Sequence, residues 1–147
     1  MSGITKLTVP LETLLPSALE FLKEGTPVIL PVKGNSMLPF IIGGRDNVLI
    51  SRQQSIREGD VVLAHTTAGS YVIHRIIGMG DGRITLKGDG NLKGTETCLP
   101  EGILGTVLEI QKPSGRKLDP VSVKGWQKLP LILRRIVIAV YRRLFGQ

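Results

Sequence analysis

Residues 61–87 read VVLAHTTAGSYVIHRIIGMGDGRITLK, and this stretch gives the clearest indication of the fold class. It holds three short apolar runs, at 61–65, 70–77 and 83–87, separated by the turn sequences 66–69 and 78–82. Short apolar runs divided by glycine-rich turns are typical of antiparallel strands that follow one another along the chain. The stretch therefore predicts a three-stranded meander with a hairpin loop at 78–82.

The flanking sequence extends this pattern on both sides. Further strands are predicted at 27–33, 48–51 and 103–110, and leucines at helical spacing predict a helix over 11–24 that ends at Gly25. The fold class is thus mainly β, a coiled antiparallel sheet or partly closed barrel with a helix at each end. We expect three segments: an N-terminal arm and helix (1–26), a β core (27–118), and a linker with a C-terminal helix (119–147).

Composition narrows the classes of function. The chain has 147 residues, a net charge of +7 and 4% aromatic residues, and so few aromatics argue against a surface that stacks nucleic-acid bases. Its single cysteine, Cys98, precludes an internal disulfide and is expected to be structural. Two histidines and one cysteine lack metal-ligand spacing. The sequence predicts no metal, no cofactor and no specific nucleic-acid partner.

The C-terminal residues 129–145, LPLILRRIVIAVYRRLF, differ from the rest of the chain. Their four arginines fall within one half of a helical wheel, with six apolar residues opposite: Leu129, Leu133, Ile136, Val137, Val140 and Leu144. We expect a basic amphipathic helix that contacts a membrane surface or a partner; a helix packed on its own domain is the alternative. Without a signal peptide or an 18-residue apolar run, the expected location is cytoplasmic or peripheral on the cytoplasmic membrane face.

Two short segments suggest chemistry. Ser36 lies in the glycine-led turn 34–39, and His74 lies in the middle of an apolar strand pattern. A serine hydroxyl becomes a good nucleophile when a neighbouring base takes its proton, and histidine is the usual base. His65, at the end of a strand, is the competing base.

Four segments in order resemble the type I signal peptidase family. Gly34-Asn35-Ser36-Met37-Leu38-Pro39 resembles its Gly-x-Ser-Met-x-Pro nucleophile box, and Gly59-Asp60-Val61-Val62 resembles the strand start that follows. Val72-Ile73-His74-Arg75-Ile76 resembles the strand that bears the base, and Leu86-Lys87-Gly88-Asp89-Gly90-Asn91 the Gly-Asp-Asn-Asn box, with Gly90 in place of an asparagine. The resemblance covers roughly residues 27–110 and implies a serine peptidase that takes peptide or protein substrates, cutting after small residues.

The residue at position 74 selects a branch of this superfamily. Bacterial signal peptidases and LexA-type self-cleaving repressors use a lysine base, whereas archaeal and endoplasmic-reticulum signal peptidases place a histidine there, as this chain does. A histidine needs little tuning to accept a proton at neutral pH, so activity is expected to rise between about pH 6 and 8. The acid that orients His74 is expected to be Asp89, with Glu96 or no acid as alternatives.

The remaining site residues follow from the nucleophile box. The backbone N–H of Ser36 is the expected oxyanion donor, and Asn35 can add an amide. Gly34 permits close approach of substrate or an unusual φ, and Met37 is expected to line the cleft beneath the nucleophile.

Two other functions stay open at this point. A LexA-type self-processing regulator would cut an Ala-Gly bond, which this chain offers at Ala68 and Gly69, between the catalytic segments. A non-catalytic module on the same fold would bind peptides or a membrane surface without cleaving anything.

Overall fold

The computed structural model describes residues 5–6 and 11–145. Two α-helices, two 3₁₀ segments and nine strands make up this part of the chain. The helices are α1 (Leu11–Lys23) and α2 (Leu131–Phe145), and the 3₁₀ segments are Pro100–Gly102 and Pro120–Lys128, the latter called the 120–128 segment below. The strands are β1 (Thr5–Lys6), β2 (Val28–Pro31), β3 (Asn47–Ser51), β4 (Val61–His65), β5 (Tyr71–Gly80), β6 (Arg83–Lys87), β7 (Glu96–Cys98), β8 (Ile103–Gln111) and β9 (Lys117–Leu118).

All the strands belong to one sheet. Its order is β1-β2-β3-β8-β4-β5-β6-β7, and β9 pairs with β8 beside this path. Every pair is antiparallel except β1 with β2. The two end strands, β1 and β7, do not pair with each other within the described residues, so the sheet is open and not closed into a ring. The predicted mainly β fold, with a helix near each end of the chain, is confirmed.

The meander β4-β5-β6 is the predicted one, with one correction. Residues 78–80 were predicted as loop but belong to β5, because Gly80 pairs with Arg83. The register shifts between Ile76 and Gly78, so that β5 has one more residue than β6 at this point and forms a bulge. The turn is therefore only Asp81 and Gly82, both with positive φ (54° and 72°), which glycine and aspartate tolerate best.

Two short strands, β7 and β9, extend the sheet beyond the expected ones, and a third, β1, lies in the N-terminal arm, for which a short strand was one expectation. β7 has three residues, and β1 and β9 have two each. Strands this short leave no period in the sequence. The other residues of the predicted N-terminal arm, 1–4 and 7–10, lie outside the described residues, and the division of the chain at 26 and 118 stays a prediction.

The sheet has a core on each of its two faces. Along β4, Val61 and Leu63 join a cluster in which Leu14, Ala18 and Leu22 of α1 pack against β2, β3 and β8. The alternate residues Val62 and Ala64 join a second cluster with β5, β6 and β7. Successive side chains of a strand point to opposite faces, so β4 is buried on both faces and separates the two cores.

The C-terminal helix α2 follows the 120–128 segment and carries all four of the arginines noted above. Of its side chains, Ile138 is buried against the domain. Within residues 5–6 and 11–145, no helix combines the length and the apolar character needed to cross a membrane.

Candidate active site

Ser36 lies in the connection between β2 and β3, in a turn closed by its own backbone. The Leu38 N–H donates to the Asn35 carbonyl at 3.2 Å, and the Ile41 N–H donates to the Met37 carbonyl at 3.0 Å. The peptide bond between Leu38 and Pro39 is cis. Leu38 and Pro39 are buried while Ser36 is half-buried, so the turn is anchored on one side and presents the serine on the other.

A cleft of about 150 Å³ runs beside this turn, and both Ser36 and His74 line it. Most of the other lining side chains are apolar. They are Leu15 of α1, Leu30 of β2, Val32 just after β2, Leu63 of β4, and Val72 and Ile73 of β5, joined by Lys33 and Tyr71. Two segments 38 residues apart in sequence thus face one small apolar space.

Gly88 explains how closely the two segments approach. A Cβ at this position would lie 2.3 Å from the Ser36 carbonyl oxygen and 3.1 Å from His74 Nε2. Real Cβ atoms do not approach other atoms at the first of these distances, so only glycine fits between the nucleophile turn and the imidazole. The neighbouring Gly90 N–H donates to the same Ser36 carbonyl at 2.8 Å, which fixes the turn against the 88–91 loop.

The buried imidazole of His74 makes one strong polar contact. Its Nδ1 lies 2.5 Å from Oε1 of Glu96 on β7. A carboxylate can only accept, so Nδ1 carries the shared proton, and in the neutral ring Nε2 is left as the acceptor beside Gly88. The arrangement leaves the basic nitrogen of His74 on the Ser36 side.

Asp89, the acid that the sequence ranked first, is engaged elsewhere. Its two carboxylate oxygens accept from Arg75, with Nε to Oδ1 at 2.8 Å and Nη2 to Oδ2 at 2.6 Å. Both side chains are almost completely buried. The structure therefore does not bring Asp89 to His74; it brings Glu96 there, and Asp89 forms a bidentate pair with the next residue along β5.

The same buried pair fastens the 120–128 segment to the sheet. Arg75 Nη1 donates to the carbonyls of Gly59 (2.9 Å) and Pro120 (2.7 Å). Trp126 Nε1 donates to the Asp89 carbonyl at 2.8 Å, and Gln127 Nε2 donates to Asp89 Oδ1 at 3.1 Å. Sequence reasoning treated this segment as a polar linker; the one tryptophan of the chain, placed in it, was the available signal.

The other predicted residues of the nucleophile box lie around the turn. Gly34 has φ of 80°, and its carbonyl is so close to Gly43 that a Cβ there would lie 2.0 Å away. Asn35 Oδ1 is buried and has no hydrogen-bond partner among the described residues. Met37 is buried in the core cluster rather than exposed in the cleft, and its sulfur accepts from the Asp89 N–H at 3.4 Å. The Ser36 N–H donates no hydrogen bond within the described part of the chain, so it is free to serve as an oxyanion donor.

The competing base, His65, is exposed and stacks on Tyr71, with ring centroids 4.5 Å apart. It is not among the residues that line the cleft. Throughout residues 5–6 and 11–145, no group of three histidine, cysteine or acidic side chains is placed to hold a metal ion.

Comparison with known proteins agrees with this architecture. The family model described as Peptidase S24-like matches residues 4–107, which is more than two thirds of the chain and includes Ser36, His74, Asp89 and Glu96. No curated protein matches the chain significantly. The match supports a serine peptidase or a protein of LexA-like fold. On the strength of that coverage, the chain belongs to the Peptidase S24-like family.

Proposed function

We propose that this protein is a serine endopeptidase of signal peptidase type that cuts extended peptide or leader segments after small residues. Ser36 is the nucleophile, His74 the general base and Glu96 the acid that orients it. The observation that carries the proposal is the 2.5 Å contact between His74 Nδ1 and Glu96, made by a histidine that lines one cleft with Ser36. Nucleophile, base and orienting acid are the three parts that serine hydrolysis needs.

The proposed reaction moves two protons in turn through His74 Nε2. Ser36 Oγ attacks the scissile carbonyl while His74 Nε2 takes its proton, and the oxyanion that forms accepts from the Ser36 N–H. Nε2 then gives the proton to the leaving amine, and the acyl-enzyme remains. Water attacks the ester as Nε2 takes a proton from it, and returning that proton to Ser36 releases the acid. Glu96 stays ionised and stabilises the imidazolium.

The open edge of β5 supports an extended substrate. β4 pairs with β5 from Tyr71 to Arg75, whereas β6, on the other side, pairs only from Arg75 onward. Within the described residues, the β6 side of residues 71–74 therefore carries no strand. A peptide added there would run antiparallel or parallel to β5 and pass directly beside His74.

The size of the cleft supports small side chains next to the cut. A volume of about 150 Å³ lined mainly by leucine, valine and isoleucine accepts an alanine-sized apolar group and excludes long or charged ones. Leu15 closes this space from α1, so the N-terminal helix takes part in the selection. We expect Leu15→Ala to admit larger side chains at this subsite.

The decisive experiment is cleavage of a mixed peptide library by the full chain, read by mass spectrometry. Wild type should cut after small residues, and Ser36→Ala and His74→Ala should both remain folded and lose cleavage. Ser70→Ala and His65→Ala are the matched controls, because they remove an exposed serine and an exposed histidine outside the proposed triad. Activity that survives Ser36→Ala or His74→Ala would reject the assignment.

A fluorophosphonate probe separates this proposal from a non-catalytic module. It should label wild type at Ser36 and leave His74→Ala unlabelled, since the hydroxyl then has no base. A wild-type protein that resists the probe and leaves the library intact would be a binding module on the same fold.

The observations favour a separate peptide over self-processing. The Ala68–Gly69 bond sits in a tight hairpin turn, where the Gly69 N–H donates to the Thr66 carbonyl at 2.9 Å and the Thr66 N–H donates to the Ser70 carbonyl at 2.8 Å. To be cleaved, this turn would have to adopt an extended conformation, which would break both of these hydrogen bonds. Incubation of pure protein should therefore yield no fragment cut at this bond.

A further inference from the structure

The outward face of α2 is apolar, which is unusual for a helix at a protein surface. Residues four apart share one side of a helix, and four such residues of α2 are exposed. They are Ile132, Ile136, Val140 and Leu144, exposed by 68, 56, 49 and 68%. By contrast, α1 buries its own row of residues four apart, Leu14, Ala18 and Leu22, in the core. We call the exposed row of α2 the apolar stripe.

The stripe is not the face by which α2 is held to the domain. The opposite side carries Ile138, which is buried, and Tyr141 and Phe145, which are half-buried. The guanidinium carbon of Arg45 lies 4.8 Å from the centre of the Phe145 ring. The helix is thus docked by one face while it presents the apolar stripe on the other.

Positive charge is concentrated in the same part of the molecule. Residues 112–147 hold nine of the 19 basic residues and one of the 12 acidic residues, so this part alone has a charge of +8 and the remainder is −1. The helix contains four arginines and no acidic residue. Arg134 bonds to the Leu129 carbonyl and to Gln127, whereas Arg135, Arg142 and Arg143 are exposed and form no ion pair among the described residues.

We propose that the apolar stripe of α2 docks on the surface of an anionic phospholipid bilayer, with the helix lying in the plane of the interface. Such a surface offers acyl chains for the stripe and phosphate groups for the arginines at the same time. A second copy of the chain would satisfy the stripe but would bring two helices of like charge together. A helix of 15 residues is about 22 Å long, too short to cross the apolar core of a bilayer.

The docking surface is independent of the proposed peptidase chemistry, because no residue of α2 lines the cleft of Ser36 and His74. Ser36→Ala should therefore bind vesicles as wild type does. A loss of cleavage together with intact vesicle binding, or the reverse, would separate the two proposals.

Co-sedimentation of the full chain with vesicles tests the proposal. Wild type should bind vesicles of phosphatidylcholine mixed with phosphatidylglycerol, and bind pure phosphatidylcholine at least about 10-fold more weakly. The double variant Ile136→Glu/Val140→Glu should lose about 10-fold or more in affinity for the anionic vesicles. Its matched control is Met79→Glu/Leu108→Glu, which makes the same chemical change at two exposed apolar residues away from α2.

A second pair of variants tests the charges. Arg135→Gln/Arg142→Gln should weaken binding about 10-fold, while Arg52→Gln/Arg83→Gln, at exposed arginines outside residues 112–147, should change it less than about threefold. Far-ultraviolet circular dichroism checks that each variant folds.

Three outcomes would overturn the proposal. They are absence of binding to anionic vesicles, equal losses in the α2 variants and their controls, and a wild-type dimer that Ile136→Glu/Val140→Glu converts to a monomer without any vesicle binding. The last outcome would identify the stripe as a contact between two copies of this chain.

Discussion

His74 and Arg75 are neighbours on β5, and each holds a carboxylate, but the two pairs differ in almost every other respect. The side chains of His74 and Glu96 are 6 and 29% exposed, whereas those of Arg75 and Asp89 are 1 and 0% exposed. The first pair joins two side chains through one contact. In the second pair, Asp89 accepts two hydrogen bonds from Arg75, and the pair also bonds to Gly59 and to the 120–128 segment.

The contrast teaches that acidic residues near a histidine in sequence can have separate tasks in the fold. Successive side chains of a strand point to opposite faces, so residues 74 and 75 meet different partners. Asp89 ties the architecture together on one side of β5, and Glu96 touches the imidazole on the other. Four predictions test this division, in decreasing order of expected effect.

Arg75→Met should cause the largest loss of stability. It leaves the Asp89 carboxylate buried without its cation and removes a donor to the Gly59 and Pro120 carbonyls. Loss of one member of a buried ion pair costs about 3–5 kcal/mol in unfolding free energy. Equilibrium urea unfolding measures this loss of free energy.

The control is Lys117→Met, which breaks the exposed 3.9 Å ion pair with Glu109 and should cost less than about 1 kcal/mol. Equal losses in the two variants would remove the structural role given to Arg75.

Glu96→Gln should lower kcat/KM by about 100-fold or more while changing the free energy of unfolding by less than about 1 kcal/mol. The amide no longer stabilises an imidazolium, but the side chain is partly exposed and its packing is retained. Asp89→Asn should show the reverse, a larger loss of stability than of activity per folded molecule. Steady-state cleavage and urea unfolding of both variants decide the matter; a catalytic defect confined to Asp89→Asn would return the orienting role to Asp89.

Trp126→Phe should reduce the unfolding free energy by about 1–3 kcal/mol, because the buried Asp89 carbonyl loses its donor. The edge-to-face contact with Phe40, now at a centroid distance of 5.4 Å, can persist with a phenyl ring. Leu129→Ala, at an exposed neighbour, serves as the control and should stay within about 0.5 kcal/mol of wild type. If Trp126→Phe is as stable as wild type, the hydrogen bond from the 120–128 segment to Asp89 does not stabilise the buried Arg75–Asp89 pair.

The smallest effect concerns β7, the strand that carries Glu96. Burial raises the pKa of the Cys98 thiol on this strand above its ordinary value. The unfolded chain therefore loses this proton first as pH rises, and folding stability is full below the unfolded pKa of 9.0 and declines above it.

Cys98→Ala, which has no thiol to titrate, should remove that decline. We expect the wild type to lose at most about 1 kcal/mol more than the variant between pH 8 and 10, measured by urea unfolding. Identical slopes for the two proteins would show that the thiol titrates alike in the folded and unfolded chains, and hence that β7 does not shield it.

The meander and the nucleophile turn could be predicted because their signals are local. Short apolar runs separated by glycine turns define β4, β5 and β6 without reference to distant contacts, and the motif at residues 34–39 defines the turn around Ser36. The partner of His74 is different in kind. It depends on the pairing of Glu96 with Leu86 across β6 and β7. With three residues, β7 is too short to show the two-residue alternation of a strand in the sequence.

The C-terminal region shows the other limit of sequence reasoning. The amphipathic pattern of α2 was evident, but which side would face the domain was not, because both faces contain apolar residues. Ile138 and Phe145, which lie outside the predicted apolar face, are among the residues that pack on the domain. The regular row of leucine, isoleucine and valine points outward.

The hydrogen bonds that converge on Arg75 and Asp89 also set an order of assembly during synthesis. Arg75 can bond to Pro120 only after 45 more residues have been made, and Asp89 can bond to Trp126 only after 37 more. At about 5–20 residues per second, translation delivers these partners several seconds after Ser36 and His74 have been made. Contacts between residues far apart in sequence slow folding, because the chain loses the entropy of loop closure before the contacts can stabilise it. The hydrogen bonds around Arg75 and Asp89 are therefore completed late, and a nascent chain passes through most of its synthesis with Ser36 already made but without the bonds to Pro120 and Trp126.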